Sequence, residues 1–135
     1  MRSGGINWLA VIVAAVAIYA IGFIIYGLAI PEETWMAWEG DTQAELAEVG
    51  DSRMPFGVVM PLMTALFMAV IFKWAQVAGA AKGAQWAAVV ALASAVPAEL
   101  YAFVYGTGLV QITLVDSVHL FLGHVAAGAI LGGWK

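Results

Sequence analysis

The chain has 135 residues, of which 64% are hydrophobic and 10% charged, with a formal net charge of −4 and a mean hydropathy of +0.94. A soluble domain keeps about a quarter of its residues charged, so ionic groups are too few to cover a water-facing surface, and the composition predicts an integral membrane protein of one domain. The absence of cysteine excludes disulfides, thiolate catalysis and cysteine-based metal centres, and the negative net charge does not suggest a nucleic-acid partner.

The first predicted element is a span over about 6–30, INWLAVIVAAVAIYAIGFIIYGLAI. It is too long for the apolar core of a secretory signal, about 7–15 residues, and reads as a retained helix. Asn7 at its start reads as a cap. Tyr19, Gly22 and Tyr26 recur at helical spacing and form one stripe.

The polar loop 31–55 carries Glu32, Glu33, Glu39, Asp41, Glu45, Glu48 and Asp51, beside one base, Arg53. EETWMAWEG places Trp35 and Trp38 three residues apart, and DTQAELAEVG offers Asp41 as an N-cap and Gly50 as a stop. Two short interfacial helices are expected, with Trp35 and Trp38 as a candidate contact surface. The acid run reads as a solvated face. A calcium site or docking surface is the alternative, but no EF-hand spacing is present.

The second span covers about 56–77 and includes Pro61, Thr64 and Lys73. Lys73 is expected to snorkel to the interface, with no functional role. A link, AGAAKGAQ, separates it from a third span over 86–105 that contains Pro97 and Glu99. Gly106–Gly108 is a turn signal. The fourth span covers 110–134, its start lying between Leu109 and Asp116. Each stretch crosses a core of about 30 Å as a helix of roughly 20 residues. The expected fold is therefore all-α, an integral membrane four-helix bundle with short amphipathic helices in the first extracytoplasmic loop.

Four crossings put Arg2, Lys73, Lys82 and Lys135 on one side and the acidic loop on the other. The positive-inside rule then places both termini in the cytoplasm. Trp8, Trp74, Trp86 and Trp134 fall near that boundary, and Trp35 and Trp38 near the opposite one, as aromatic belts require.

Two acids remain inside the spans, Glu99 and Asp116. A charge at the bilayer centre costs about 2.5–3.5 kcal/mol or more, so each needs a partner, water or a proton. At 1.5 Å per residue both fall at similar depth in the half nearer the first loop, with His119 one turn beyond Asp116. Asp116 and His119 share a helix face. Tyr19 and Tyr26 are candidates to join this layer, as is Thr64. His124 lies about 140° from His119 and lines up instead with Gly128 and Gly132. Gly123, His124, Gly128 and Gly132 form a close-packing face, either within the bundle or at a homo-oligomer seam. The Glu99, Asp116 and His119 layer reads as a structural polar network, a proton or substrate site, or a divalent-metal or haem site. Asp116 can alternatively be the N-cap of a shorter fourth helix.

The opening INWLAVIVAAVAIYAIGFIIYG, the TWM that follows and the closing HLFLGHVAAGAILGGWK resemble the domain of unknown function 1761 family of small four-span bacterial membrane proteins. Asn7, Trp8, Gly22, Tyr26, His119 and the Gly128–Trp134 ending carry the likeness. It implies a fold and a membrane location, but no reaction.

The expectation is a bacterial inner-membrane protein with no assigned cofactor. It is non-enzymatic, because no nucleophile–base arrangement is visible. It acts as a homo-oligomer or as an accessory subunit of a larger membrane complex. The alternative is a small proton-coupled transporter or channel that uses the Glu99, Asp116 and His119 cluster.

Overall fold

Four helices long and apolar enough to cross a membrane make up the bundle: Trp8–Ala29, Pro55–Trp74, Ala80–Tyr105 and Val110–Gly133. The structure is a computed structural model that describes residues 2–39, 44, 47, 48 and 53–134. The first span is α1 (Trp8–Gly22) continued by a π-helical stretch, Phe23–Ala29. A loop helix, α2, runs from Glu32 to Glu39. The second span enters through a 3-10 turn, Met54–Val58, and becomes α3 (Val59–Trp74). The third is α4 (Ala80–Val90), a π-helical turn Ala91–Ala95, then α5 (Val96–Tyr105). The fourth is α6 (Val110–Gly133).

The sequence dictates an interior of small residues. Ala10, Ala14, Ala15, Ala65, Ala87, Ala91 and Ala127 are buried, while Ile12, Val16, Phe23, Phe67 and Leu92 face outward. In lipid no hydrophobic force drives large side chains inward, so backbones approach over alanine and glycine and the bulky residues meet acyl chains. The fourth span is the hub: α6 packs on α1, α3, α4 and α5.

Both termini lie at one end, which we call the termini end; the first loop marks the loop end. Asn7 caps α1, its Oδ1 accepting the Ala10 N–H at 3.3 Å. Its Nδ2 donates to the Trp134 carbonyl at 3.0 Å, tying the start of the first span to the close of the fourth. Ahead of Asn7 the chain forms a small antiparallel pair, Arg2 opposite Asn7 and Ser3 opposite Ile6. Gly4 and Gly5, both at positive φ, make its two-residue turn. The Ser-Gly-Gly sequence is the signal for this turn, which was not anticipated.

The third span starts at Ala80 and not at Trp86. The expected link is helical from its third residue, because Ala80, Ala81 and Ala84 are strong helix formers. The break is confined to Gly79, whose φ of +95° ends the loop and whose N–H donates to the Gly132 carbonyl at 2.7 Å. Asp116 lies within α6, so it is not the N-cap of a shorter helix. Of the two expected loop helices, α2 is present. The other, over 41–50 with its caps Asp41 and Gly50, falls largely outside the described residues, although Ala44, Ala47 and Glu48 are helical.

Candidate functional site

Tyr26, Asp116 and His119 meet between the first and fourth spans. The Tyr26 hydroxyl donates to Asp116 Oδ1 at 2.5 Å. Its oxygen also lies 3.3 Å from His119 Nδ1. A phenol has one proton. With that proton on the Asp116 bond, His119 Nδ1–H is the donor to the Tyr26 oxygen, and in the neutral imidazole Nε2 is then the acceptor nitrogen. Nε2 is buried and, among the described residues, has no hydrogen-bond partner. The Tyr26 and His119 rings meet edge-on at 5.2 Å.

The π-helical stretch makes this contact. At about 100° per residue an unbroken α-helix would set Tyr26 only about 20° from Tyr19. Tyr19 is 55% exposed and faces away from the bundle. The wider winding from Phe23 onward holds Tyr26 back on the line of buried Ile18 and Gly22, toward the fourth span. Tyr19 is therefore not part of the cluster, and the stripe drawn through it is corrected. π-helical segments are rare and often lie at functional sites.

Gly22 completes the fit. A Cβ there would sit 2.9 Å from His119 Nε2, so only glycine lets the imidazole rest on the first helix. Above the cluster, Trp35 of α2 stacks edge-on with Tyr26 at 5.2 Å, and Trp38 follows Trp35 at 6.2 Å. Trp35 is thus directed at the site and not outward as a contact surface.

Glu99 is half-buried on α5 and within electrostatic reach of Asp116 and Tyr26, but it makes no hydrogen bond to the cluster. Its helix follows a second π-helical turn, in which the Val96 N–H reaches back to the Ala91 carbonyl. Pro97, which has no N–H of its own, sits one residue later. Thr64 is not in this layer. It lines a separate cavity of about 260 Å³ with His124, Met63, Phe67 and Val90. His124 is buried and its Nδ1 donates to the Leu120 carbonyl at 2.7 Å.

The glycine face of the fourth span is used inside the chain. Gly123 packs on Ile18, while Gly128 and Gly132 pack on Gly79, Gly83 and Ala87. A Cβ at Gly83 would collide with the Gly128 carbonyl oxygen. The homo-oligomer alternative for this face is therefore corrected, because its surface is already covered. The matching stripe on the third span, Gly79, Gly83, Ala87 and Ala91, was missed because its first two members fell in the presumed link.

Among the described residues no three His, Asp or Glu side chains are grouped as a metal ion would need. Chemically, the site is a hydrogen-bonded line of carboxylate, phenol and imidazole with an unoccupied acceptor at its far end. Comparison with known proteins matches residues 9–132 to a family described as "Protein of unknown function (DUF1761)". No curated protein and no solved structure matches the chain.

Proposed function

Because the chain belongs to this family of unknown function, DUF1761, which fixes no activity, we propose a role from the site itself: a non-enzymatic membrane protein whose Tyr26, Asp116 and His119 form a proton-handling centre. The observation that carries this reading is the bare, buried Nε2 of His119 at the end of an unbroken hydrogen-bonded line. An ionisable group kept within a membrane span is costly and marks a functional site by default.

The proton bookkeeping closes. A proton arriving at Nε2 makes the imidazole cationic. Nδ1 passes its proton to the Tyr26 oxygen, and Tyr26 passes its own to Asp116. The cluster then holds a neutral carboxylic acid, a phenol and a neutral imidazole of the other tautomer, one charge less negative than before. Since Nε2 is buried, its access requires the first and fourth spans to move apart. That is the coupling a proton-driven carrier or channel uses. Glu99, in electrostatic reach of Asp116, is the next carboxylate along.

Infrared difference spectroscopy of the protein in bilayers tests this. Acidification should raise a carboxylic C=O band that disappears in Asp116→Asn and shifts in Tyr26→Phe. A band that is absent, or unchanged in both variants, would refute the reading.

A second reading, homo-oligomer or accessory subunit, draws support from the third span. None of Val96–Tyr105 is buried, although this stretch carries Glu99. Light scattering of the protein extracted from its own membrane in mild detergent would find a defined multiple of the 14.2 kDa chain, or a larger complex with other chains, if this reading holds, and a bare monomer if it does not. The basic residues Lys73 and Lys82 at the termini end and the glutamates of the first loop support both termini being cytoplasmic, in a bacterial inner membrane.

A further inference from the structure

At the termini end, away from the Tyr26 cluster, a cavity of about 430 Å³ opens between the first, second and fourth spans. This is within the size range of ligand sites, about 300–1,000 Å³. The core residues Ala10, Phe72 and Leu131 close its floor, the partly exposed Ile6 and Ala69 form its apolar sides, and its rim carries Lys73, Gln76, Asn7 and Trp134. Asn7 Oδ1 accepts from the Ala10 N–H and one Nδ2 hydrogen goes to the Trp134 carbonyl, which leaves at most one donor there. Lys73 and Gln76, both exposed, add an ammonium and a carboxamide donor.

Lys73 is held at this rim. It lies in the last turn of α3, and its chain rests on the turn of the N-terminal hairpin, where a Cβ at Gly5 would sit 3.3 Å from Lys73 Cε. The next residue but two, Gln76, takes a left-handed backbone at φ 52°, a costly conformation for a residue with a side chain. The described carboxylates all belong to the first loop or to the loop-end halves of the third and fourth spans, so none of them neutralises the ammonium.

We propose that this cavity binds one anionic phospholipid, with its phosphate on Lys73 and Gln76 and the upper part of an acyl chain against Ile6, Ala69 and Trp134 at its mouth. Two features select a lipid over a free anion. The walls give no polar partner below the rim, and an ammonium at the end of a membrane helix lies at headgroup depth. Basic pockets between membrane helices recognise anionic headgroups in this way, each lysine contributing about 1 kcal/mol near the surface. This inference stands apart from the proton-handling reading.

The test is native mass spectrometry of the full chain in mild detergent, with phosphatidylglycerol or phosphatidylcholine added. The wild type should retain a single phosphatidylglycerol about fivefold more than phosphatidylcholine, the ratio that one lysine contact supplies. Lys73→Gln should bring retention down to the phosphatidylcholine level. Ala69→Phe, which fills the cavity and leaves Lys73 in place, should do the same. Lys82→Gln, an exposed lysine outside the cavity, should keep the adduct. Three results would overturn the proposal: retention unchanged in Lys73→Gln, equal loss in Lys82→Gln, or displacement by inorganic phosphate as effective as by phosphatidylglycerol.

Discussion

Tyr26 and Asp116 are 90 positions apart in sequence, yet the phenol of one donates to the carboxylate of the other at 2.5 Å. A carboxylate within a span is thereby paired, and the first and fourth spans are joined near the loop end. Tyr26→Phe and Asp116→Asn should each destabilise the protein. A double-mutant cycle between them, read by thermal unfolding in detergent, should give a coupling of about 0.6 kcal/mol and up to about 1.7, the range known for hydrogen bonds between membrane helices. Additive effects would show that the pair contributes nothing to stability.

Gly22→Ala should push His119 off the first helix, since the new methyl would lie 2.9 Å from Nε2. Overpacking of this kind costs about 1–3 kcal/mol. Combined with His119→Ala, which vacates the space, the same substitution should cost much less. Unfolding midpoints of the two single variants and the double variant measure the difference.

The helix-packing face should be the least tolerant surface. Gly83→Val and Gly128→Val place side chains into the opposing backbone, and the third and fourth spans would have to separate. Both variants should fail to accumulate as folded protein. Gly57→Ala, where an added Cβ meets nothing within 4 Å, should behave as wild type. Yield of monodisperse protein in detergent distinguishes the two outcomes.

Asn7→Ala removes an N-cap and the bond to the Trp134 carbonyl together. Loss of the cap alone costs about 0.5–2 kcal/mol. Faster amide hydrogen exchange should appear at both ends of this latch, in the first turn of α1 and the last turn of α6. Exchange raised only in α1 would mean that the latch adds nothing.

The spans were legible because length and hydropathy fix a membrane helix almost by themselves. Placing Asp116 and His119 on one face required only the helical repeat. The repeat misplaced Tyr19, because it holds only while the helix keeps 3.6 residues per turn. Nothing in FIIYGLA announces the π-helical winding that separates Tyr26 from Tyr19. The third span was cut short for a related reason. Lys82 and Gln85 looked like a polar link, whereas the alanines around them carry the helix to Gly79. The hairpin at the N-terminus was signalled by Gly4 and Gly5, but two-residue strands lie below what periodicity detects. The burial of His119 Nε2 depends on the fourth span meeting the first at Gly22, which one sequence does not reveal.

The position of the proton on His119 decides whether the cluster handles protons or only ties two helices together. Nitrogen-15 NMR of the two histidine side chains in bilayers, followed over roughly pH 5 to 8, where imidazole can titrate, reads it directly. His119 should carry its proton on Nδ1 alone at the alkaline end and on Nε2 alone after acidification, when the added proton rests on Asp116, and that switch should be lost or altered in Tyr26→Phe and in Asp116→Asn. A His119 that carries its proton on Nε2 throughout, unmoved by pH or by either substitution, would contradict the account and leave the cluster as a structural tie between two helices.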